Sequence, residues 1–555
     1  MHRSIPFYCL VLLVFVSSCG INKSSFVVKD IDTYVLENKE KISVNDSLFF
    51  KGKSSFRKNR FGQWELIAFG NNPRDLGNNI GHLTETQLIQ QEEIFLSKID
   101  KMVPSKLKQY LLRKFLAFYN RDLHKYIQEE YKAEMYGVSR YASNDSEKFA
   151  SKYAMSLYLH SAHDLGHALQ DLALVGCSSF ASWGENTADG GLIIGRNFDF
   201  YLNDDFAKEK IIAFVQPEKG YKYMSVSWAG MIGVMSGMND QGLTVTINAG
   251  KSNIPLLAKT PISLVSREIL QYAATLEEAI AIAKQKEVFV SESLMIGSAI
   301  DNSAVLIEIS PKNFGVYRVD NNSQLICSNH FQSKAYKNDD RNTAHISNSH
   351  SKYRYDRMVE LLEGEIMTPE KAVGILRNKE GLLDKKIGYG NEKSLNQLLA
   401  HHAIVFQPHK KTVWVSSNPY QLGAFTAYNL DSVFSNYKTQ KASVSMEALR
   451  IKKDPFLFSD AYKMYEQYRK EKRNLAAIIL ENKYYPIEKI NNFILLNPSY
   501  WESYYLVGCY YYNKKQYQAA LDMFTAALDR EITTVPNRKE IEKYIKKIKR
   551  RLHDS

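Results

Sequence analysis

The feature that most constrains this chain is a change of texture at Gly176-Cys177. Upstream, from about residue 83 to 174, apolar residues return every third or fourth position: Ile94-Phe95, Ile99, Leu107, Leu111-Leu112 and Phe115-Leu116. That recurrence lays an apolar stripe along a helix, and with only Pro104 and few glycines to interrupt it the segment reads as a helical bundle. Downstream, short strands are bounded by turn signals. Residues 191–195 form a buried-strand run, and 223–228 and 242–248 alternate, the latter after the turn Met238-Asn239-Asp240-Gln241. Further strands are expected at 293–300, 304–309, 403–406 and 412–416, with a helical run at 263–284 between them. Sheets interleaved with helices point to an α+β class.

A chain of 555 residues with 45% hydrophobic content is long enough for roughly two to four domains with real cores, and 24% charged residues is too ordinary a share for wholesale disorder. The net charge of +12 is spread thinly. Its densest run, Lys543-Tyr544-Ile545-Lys546-Lys547-Ile548-Lys549-Arg550-Arg551, reads as a solvated helix face. No zinc-finger or homeodomain spacing accompanies it, so a nucleic-acid partner is not expected.

The N-terminus reads as an address. His2 and Arg3 precede the apolar run Cys9 to Val16, too short to span a membrane but suited to a secretory signal over 1–18. Val16-Ser17-Ser18-Cys19 resembles the lipobox of bacterial lipoproteins. That resemblance implies lipidation of Cys19 and an exported protein held by its lipid at the cell envelope, facing the periplasm or the surface. Residues 19–50 are polar, as a tether would be. Of the five cysteines, Cys9 leaves with the signal and Cys19 takes the lipid. Cys177, Cys327 and Cys509 are too scattered for a disulfide framework, so at least one free thiol is expected.

At the other end, Tyr504, Val507, Gly508, Tyr511, Ala520, Phe524 and Ala527 reproduce the spacing of a tetratricopeptide repeat, preceded by Asn497-Pro498. One clear unit and a weaker stretch at 459–482 are too few to stand alone. A helical region over 455–552 is therefore expected to pack on the rest, and it is the candidate surface for a protein partner.

Cys177 after Gly176 is a distinctive nucleophile candidate. Scission of that bond would leave the thiol N-terminal with its own amine as base, and a chain-terminal amine has a pKa of about 7.7–8.0. Gly176-Cys177-Ser178-Ser179-Phe180 and Gly195-Arg196-Asn197-Phe198-Asp199 together resemble the N-terminal-nucleophile (Ntn) cysteine hydrolases. The nearer branch is that of the autoproteolytic acyltransferases related to acyl-coenzyme A:6-aminopenicillanic acid acyltransferase. Choloylglycine hydrolases and acid ceramidase are more distant. The resemblance spans about 176–430. It implies a four-layer αββα sandwich over 177–435, self-cleavage between Gly176 and Cys177, and a helical pro-segment over 51–176 retained noncovalently as an α fragment beside the catalytic β fragment. It also implies action on a linear N-acyl amide of a small molecule.

Within that resemblance, Arg196 is matched to thiolate stabilisation and Asp199 to the freed amine. Asn248, after Gly242-Leu243, is matched to the oxyanion hole. Asn329, in Ser328-Asn329-His330, is matched to a second polar group at the scissile carbonyl. Arg354, in Ser351-Lys352-Tyr353-Arg354-Tyr355-Asp356-Arg357, is matched to the site arginine, with Arg357 one turn on as the alternative. Each motif has a bland reading: a buried structural thiol, a surface ion pair, a hairpin turn. Their order along the chain is what sets these readings aside. No cofactor is expected, and His160, His163 and His167 lack a fourth ligand, so no metal is expected either. Amide hydrolysis through a thioester leads. Acyl transfer at the same site, or an inactive lipoprotein scaffold working through its C-terminal helices, are the alternatives.

Overall fold

The computed structural model describes residues 28, 31–36, 39–145, 150–169, 176–201, 203–252, 257–435 and 443–553. The expected signal and Cys19 lie outside them. Two sheets organise the centre of the molecule. In chain order the strands are β1 Ile42–Asn45, β2 Leu48–Lys51, β3 Ser54–Lys58, β4 Trp64–Phe69, β5 Ser178–Ser182, β6 Ile193–Phe198, β7 Ile211–Gln216, β8 Tyr223–Ser227 and β9 Ser236–Asn239. They continue as β10 Leu243–Ala249, β11 Glu292–Ser298, β12 Ser303–Ser310, β13 Asn313–Tyr317, β14 Gln324–Cys327, β15 His402–Gln407, β16 Thr412–Ser416 and β17 Phe425–Asn429. One sheet of eleven strands runs β1-β2-β3-β4-β7-β8-β9-β10-β11-β12-β13, and one of six runs β14-β5-β6-β15-β16-β17.

Successive side chains of a strand point to opposite faces, so a strand buried on both sides needs apolar residues at every position. Val413-Trp414-Val415 of β16 follow it, while β6 and β10 also bury polar side chains such as Arg196, Thr244 and Asn248. Ile194, Ile404, Phe406 and Val413 of the smaller sheet share a core with Met295 and Leu306 of the larger one. Their neighbours Ile193, Val405 and Trp414 face outward against Met358 and Leu362 of helix Ser351–Leu362 and Val373 of helix Pro369–Leu376. On the far side of the larger sheet, Val245, Ile247 and Ile296 meet Ile262 and Ile269 of helix Ile262–Tyr272 and Leu276 of helix Leu276–Lys284. The single helical run expected over 263–284 is thus two helices. Thr275 breaks it, because its side chain accepts from the Glu278 amide and the Glu278 carboxylate returns the bond in a capping box.

Before Cys177, helices occupy Pro73–Leu83, Glu85–Met102, Lys106–Tyr119, Glu129–Ser139 and Lys152–Leu169. Two expectations are corrected here. Residues 42–50, at the end of the expected tether, belong to the β1–β2 hairpin at the edge of the larger sheet. The segment over 51–176 is not helical throughout, because β3 and β4 belong to the same sheet, and β4 pairs in parallel with β7, Ile67 opposite Phe214. Ile42-Ser43-Val44-Asn45 of β1 alternates apolar and polar residues, yet all four are exposed, so the alternation marks no buried face. In β4, Ile67 faces the inter-sheet core while Trp64, Leu66 and Ala68 face the helices, again a strand buried on both sides.

The C-terminal region forms helices Asp460–Leu480, Ile487–Leu496, Trp501–Asn513, Tyr517–Leu528 and Val535–His553. Gly508 lets the third and fourth approach closely, since a Cβ there would sit 2.8 Å from the Phe524 ring. Their core continues into Leu398, Tyr420 and Leu422 of the sheet region, so the helices are packed on it. No helix among the described residues is long and apolar enough to cross a membrane.

Candidate active site

Gly176 and Cys177 lead directly into β5. Alternation along β5 turns Ser179 and Ala181 toward the larger sheet and Ser178 and Phe180 toward the outer helices. Cys177 is buried at the head of this strand, 1% exposed and free of any disulfide. In β6, Arg196 shares the face of Ile194 and so enters the space between the sheets. Its Nη2 donates to Cys177 Sγ at 3.7 Å and to the Ile247 carbonyl, and its Nη1 donates to Ser236 Oγ at 2.6 Å. His402 Nε2 lies 2.9 Å from Ser236 Oγ, tying β15 into the same group.

Arg354 arrives from the other side, on helix Ser351–Leu362. It is fully buried, and its guanidinium donates to the Cys177 carbonyl at 2.6 Å, Ser178 Oγ at 2.8 Å and Asn329 Oδ1 at 2.6 Å. Burial pulls Arg354 down to about 10, against the raising pull of Asp199 and Cys177. Arg357 instead donates to Asn378 Oδ1 and pairs with Glu360 and Asp384. Of the two candidate arginines, Arg354 is the one at the cysteine.

Asp199, just past the end of β6, is fully buried, and neither carboxylate oxygen has a hydrogen-bond partner among the described residues. Burial pushes its carboxyl up to about 8, with Arg354 and Arg196 pulling the other way. Its backbone carbonyl accepts from Gly176 N–H at 3.4 Å, which holds it beside the Gly176–Cys177 bond. The Cys177 thiol is raised by burial, with Arg196 pulling the other way. The pull of Arg196 is in the direction expected of it, and desolvation is the larger cause.

Asn248 lies on the inward face of β10 but does not meet the Gly176 carbonyl. Its Nδ2 donates to the Cys327 and Ser328 carbonyls at 3.2 and 3.3 Å, and its Oδ1 accepts from Ser179 Oγ at 2.8 Å. Asn329 likewise spends its Nδ2 on the Ala249 carbonyl at 2.9 Å. Both asparagines brace β5, β10 and β14 around the cysteine. His330 bonds Ser351 Oγ at 2.8 Å, a structural contact at the start of the Arg354 helix. His160 is structural too, its ring bridging the Ser156 carbonyl and the Ile232 amide.

The group that reaches the Gly176 carbonyl was not foreseen. Gln397 Nε2 donates to it at 3.2 Å, and a Cβ on residue 176 would lie 2.2 Å from that nitrogen. A side chain at residue 176 would displace the Gln397 amide from this carbonyl. Gln397 sits 221 residues from Gly176 and no local motif marks it.

With this geometry in place, comparison with known proteins is informative. Residues 185–419 match the family model of acyl-coenzyme A:6-aminopenicillanic acid acyl-transferase. The match is less than half of the chain, begins just after Cys177, and includes Arg196, Asp199, Asn248, Asn329, Arg354 and Gln397. An uncharacterized protein of Archaeoglobus fulgidus is 24% identical over 280 residues, covering 46% of this chain and 45% of that protein. Protein dcd1B of Dictyostelium discoideum is 23% identical over 246 residues, covering 42% and 48%. The chain therefore spans about half the length of the curated relatives it matches. Among solved structures, the N-acylethanolamine-hydrolyzing acid amidase ortholog of Caenorhabditis elegans aligns with 19% identity and a TM-score of 0.32, over 42% of this chain and 93% of that one.

Proposed function

We propose that this chain is an Ntn-type cysteine amidase that activates itself by cutting between Gly176 and Cys177 and then hydrolyses a linear N-acyl amide of a small molecule through a thioester. The observation that carries this reading is the buried Asp199 carboxylate, unpartnered among the described residues and set beside a cysteine already held by two arginines. A carboxylate without a partner in a dry site is costly, and an ammonium formed at Cys177 by scission would be its natural partner. The family match supports amide hydrolysis or acyl transfer, and the three cores on either side of and between the two sheets support the αββα layering of an Ntn hydrolase.

In the mature site the Cys177 amine takes the thiol proton, with Asp199 holding and orienting that amine. The sulfur attacks the substrate carbonyl carbon and the amine returns the proton to the leaving nitrogen. Water then resolves the thioester, using the same amine as base. Arg196 lies against the sulfur where negative charge develops, and Arg354 fixes the cysteine backbone. Acyl transfer differs only in the nucleophile that resolves the thioester, and the acyl-transferase family model favours keeping it as the second reading. The protein is read as an exported lipoprotein anchored through Cys19, with the α fragment held to the β fragment noncovalently and helices Trp501–Asn513 and Tyr517–Leu528 as a tetratricopeptide-like pair. Intact-mass analysis of active protein tests the proposal. Two chains, one beginning at Cys177, are expected, and one unbroken chain with full amide turnover overturns it. A panel of N-acyl amines with and without acyl acceptors then separates hydrolysis from transfer.

A further inference from the structure

We infer that Gln397 is a catalytic residue for self-cleavage, the side-chain donor that holds the Gly176 carbonyl oxygen as negative charge builds on it. This rests on the autoproteolytic reading above and adds a residue that reading did not contain. In the step, the Cys177 sulfur bonds to the Gly176 carbonyl carbon, and the carbonyl oxygen carries the negative charge of the tetrahedral stage. As the C–N bond breaks, the thiol proton ends on the Cys177 nitrogen. One water then converts the thioester to the Gly176 carboxylic acid and the free Cys177 thiol. A donor fixed on that oxygen before reaction needs no rearrangement when charge appears, which is the source of oxyanion stabilisation.

Three observations place Gln397 in this role. Its Nε2 is on the scissile oxygen at 3.2 Å, while Asn248 Nδ2 donates to the Cys327 and Ser328 carbonyls and Asn329 Nδ2 to the Ala249 carbonyl. It is 2% exposed, so its dipole acts in a dry site. Its loop is held from two directions. On the sheet side, Asn197 Nδ2 donates to the Leu395 carbonyl at 2.9 Å and the His401 amide donates to the Phe198 carbonyl at 2.9 Å. On the other side, Leu398, whose φ of 53° is uncommon for a leucine, is buried in the core of the C-terminal helices. Upstream in the loop, Asn497 Nδ2 donates to the Tyr389 carbonyl at 2.8 Å and Lys393 pairs with Glu531 at 2.6 Å. The C-terminal helices thus underpin the loop that carries the donor.

The test follows the mass of the full chain with time after synthesis, for wild type, Gln397→Ala and Gln397→Met, together with each protein's melting temperature. Methionine keeps the length of glutamine and removes the donor. Scission slowed roughly 10²–10³-fold in both variants, with melting close to wild type, is the expected result. If alanine lowers the melting temperature, the methionine variant decides by its rate alone. Wild-type scission rates in the methionine variant overturn the inference and leave the proposed function standing. A wild-type chain that never cuts overturns the proposed function and this inference with it.

Discussion

The segment before Cys177 and the helices after residue 459 flank the same pair of sheets but are joined to them differently. The first contributes strands: β4 pairs with β7 along the whole of both, so residues on either side of the proposed cut share a backbone hydrogen-bond ladder and a core. The second contributes no strand and meets the sheet region through side chains, at Leu398, Tyr420 and Leu422 and through ion pairs such as Lys393–Glu531 and Arg469–Asp204. A cut at Gly176 therefore severs the chain without severing the sheet. A fragment joined in this way separates only when the sheet itself unfolds.

The largest expected effect is at the cysteine. Cys177→Ala should remain one chain and lose amide turnover by at least roughly 10³-fold, as loss of a nucleophile does, read by intact mass and a turnover assay. In wild type, native electrophoresis should keep both fragments together while a denaturing gel separates them. Fragments that part under native conditions would break the comparison at its centre. Next comes the shared core. Ile67→Ala, inside the inter-sheet core, should cost about 2–5 kcal/mol and promote separation of the cut fragments in urea. Leu475→Ala, inside the C-terminal core, should cost a similar amount while leaving the fragments associated. Equal release of the N-terminal fragment by both variants would show that the two attachments do not differ.

A smaller effect concerns pH. In the uncut chain Asp199 keeps its proton to about pH 8, whereas its ordinary value is 3.8. The folded chain therefore binds more protons than the unfolded chain between those values. The stability Asp199 contributes is full below pH 3.8 and is lost as pH rises toward 8. Asp199→Asn in the Cys177→Ala background should flatten that fall, as urea titrations at pH 5 and pH 8 would register. An unchanged slope would remove Asp199 as its source. Smallest of all, Arg469→Ala should cost less than either core deletion: its ion-pair partner Asp204 is 38% exposed, although Arg469 itself is 12% exposed and also donates to the Tyr201 and Tyr420 hydroxyls. A larger loss would mean that side-chain contacts bind the C-terminal helices more tightly than this comparison holds.

Legibility followed distance along the chain. Gly176-Cys177 and Arg196-Asn197-Phe198-Asp199 are short motifs at the ends of neighbouring strands, so their residues stand together as soon as β5 and β6 pair. The α+β class and seven of the seventeen strands among the described residues (β6, β8, β10, β11, β12, β15 and β16) were readable because apolar runs bounded by turns persist even in doubly buried strands. The β1–β2 hairpin was missed, although Ile42-Ser43-Val44-Asn45 alternates, because it lies at the end of a stretch rich in Ser, Asn and Lys that reads as a tether. The roles given to Asn248 and Asn329 were read from position in a motif, whereas the hydrogen bonds they make depend on where β14 and the Ala249 carbonyl fall. Gln397 had no signal beyond the polar pair Asn396-Gln397 between leucines, a pattern shared by many loops.

The amino-acid order by itself determined the change from helix to sheet at Cys177, the placing of a thiol directly after glycine, and the Arg196–Asp199 spacing, since these depend on local periodicity and covalent adjacency. Tertiary structure alone decided that β4 joins β7, that Arg354 rather than Arg357 reaches the cysteine, and that Gln397 meets the Gly176 carbonyl. Those contacts link residues scores to hundreds of positions apart. They exist only once burial of both sheet faces has closed the layers and left each buried polar group to find a partner within reach.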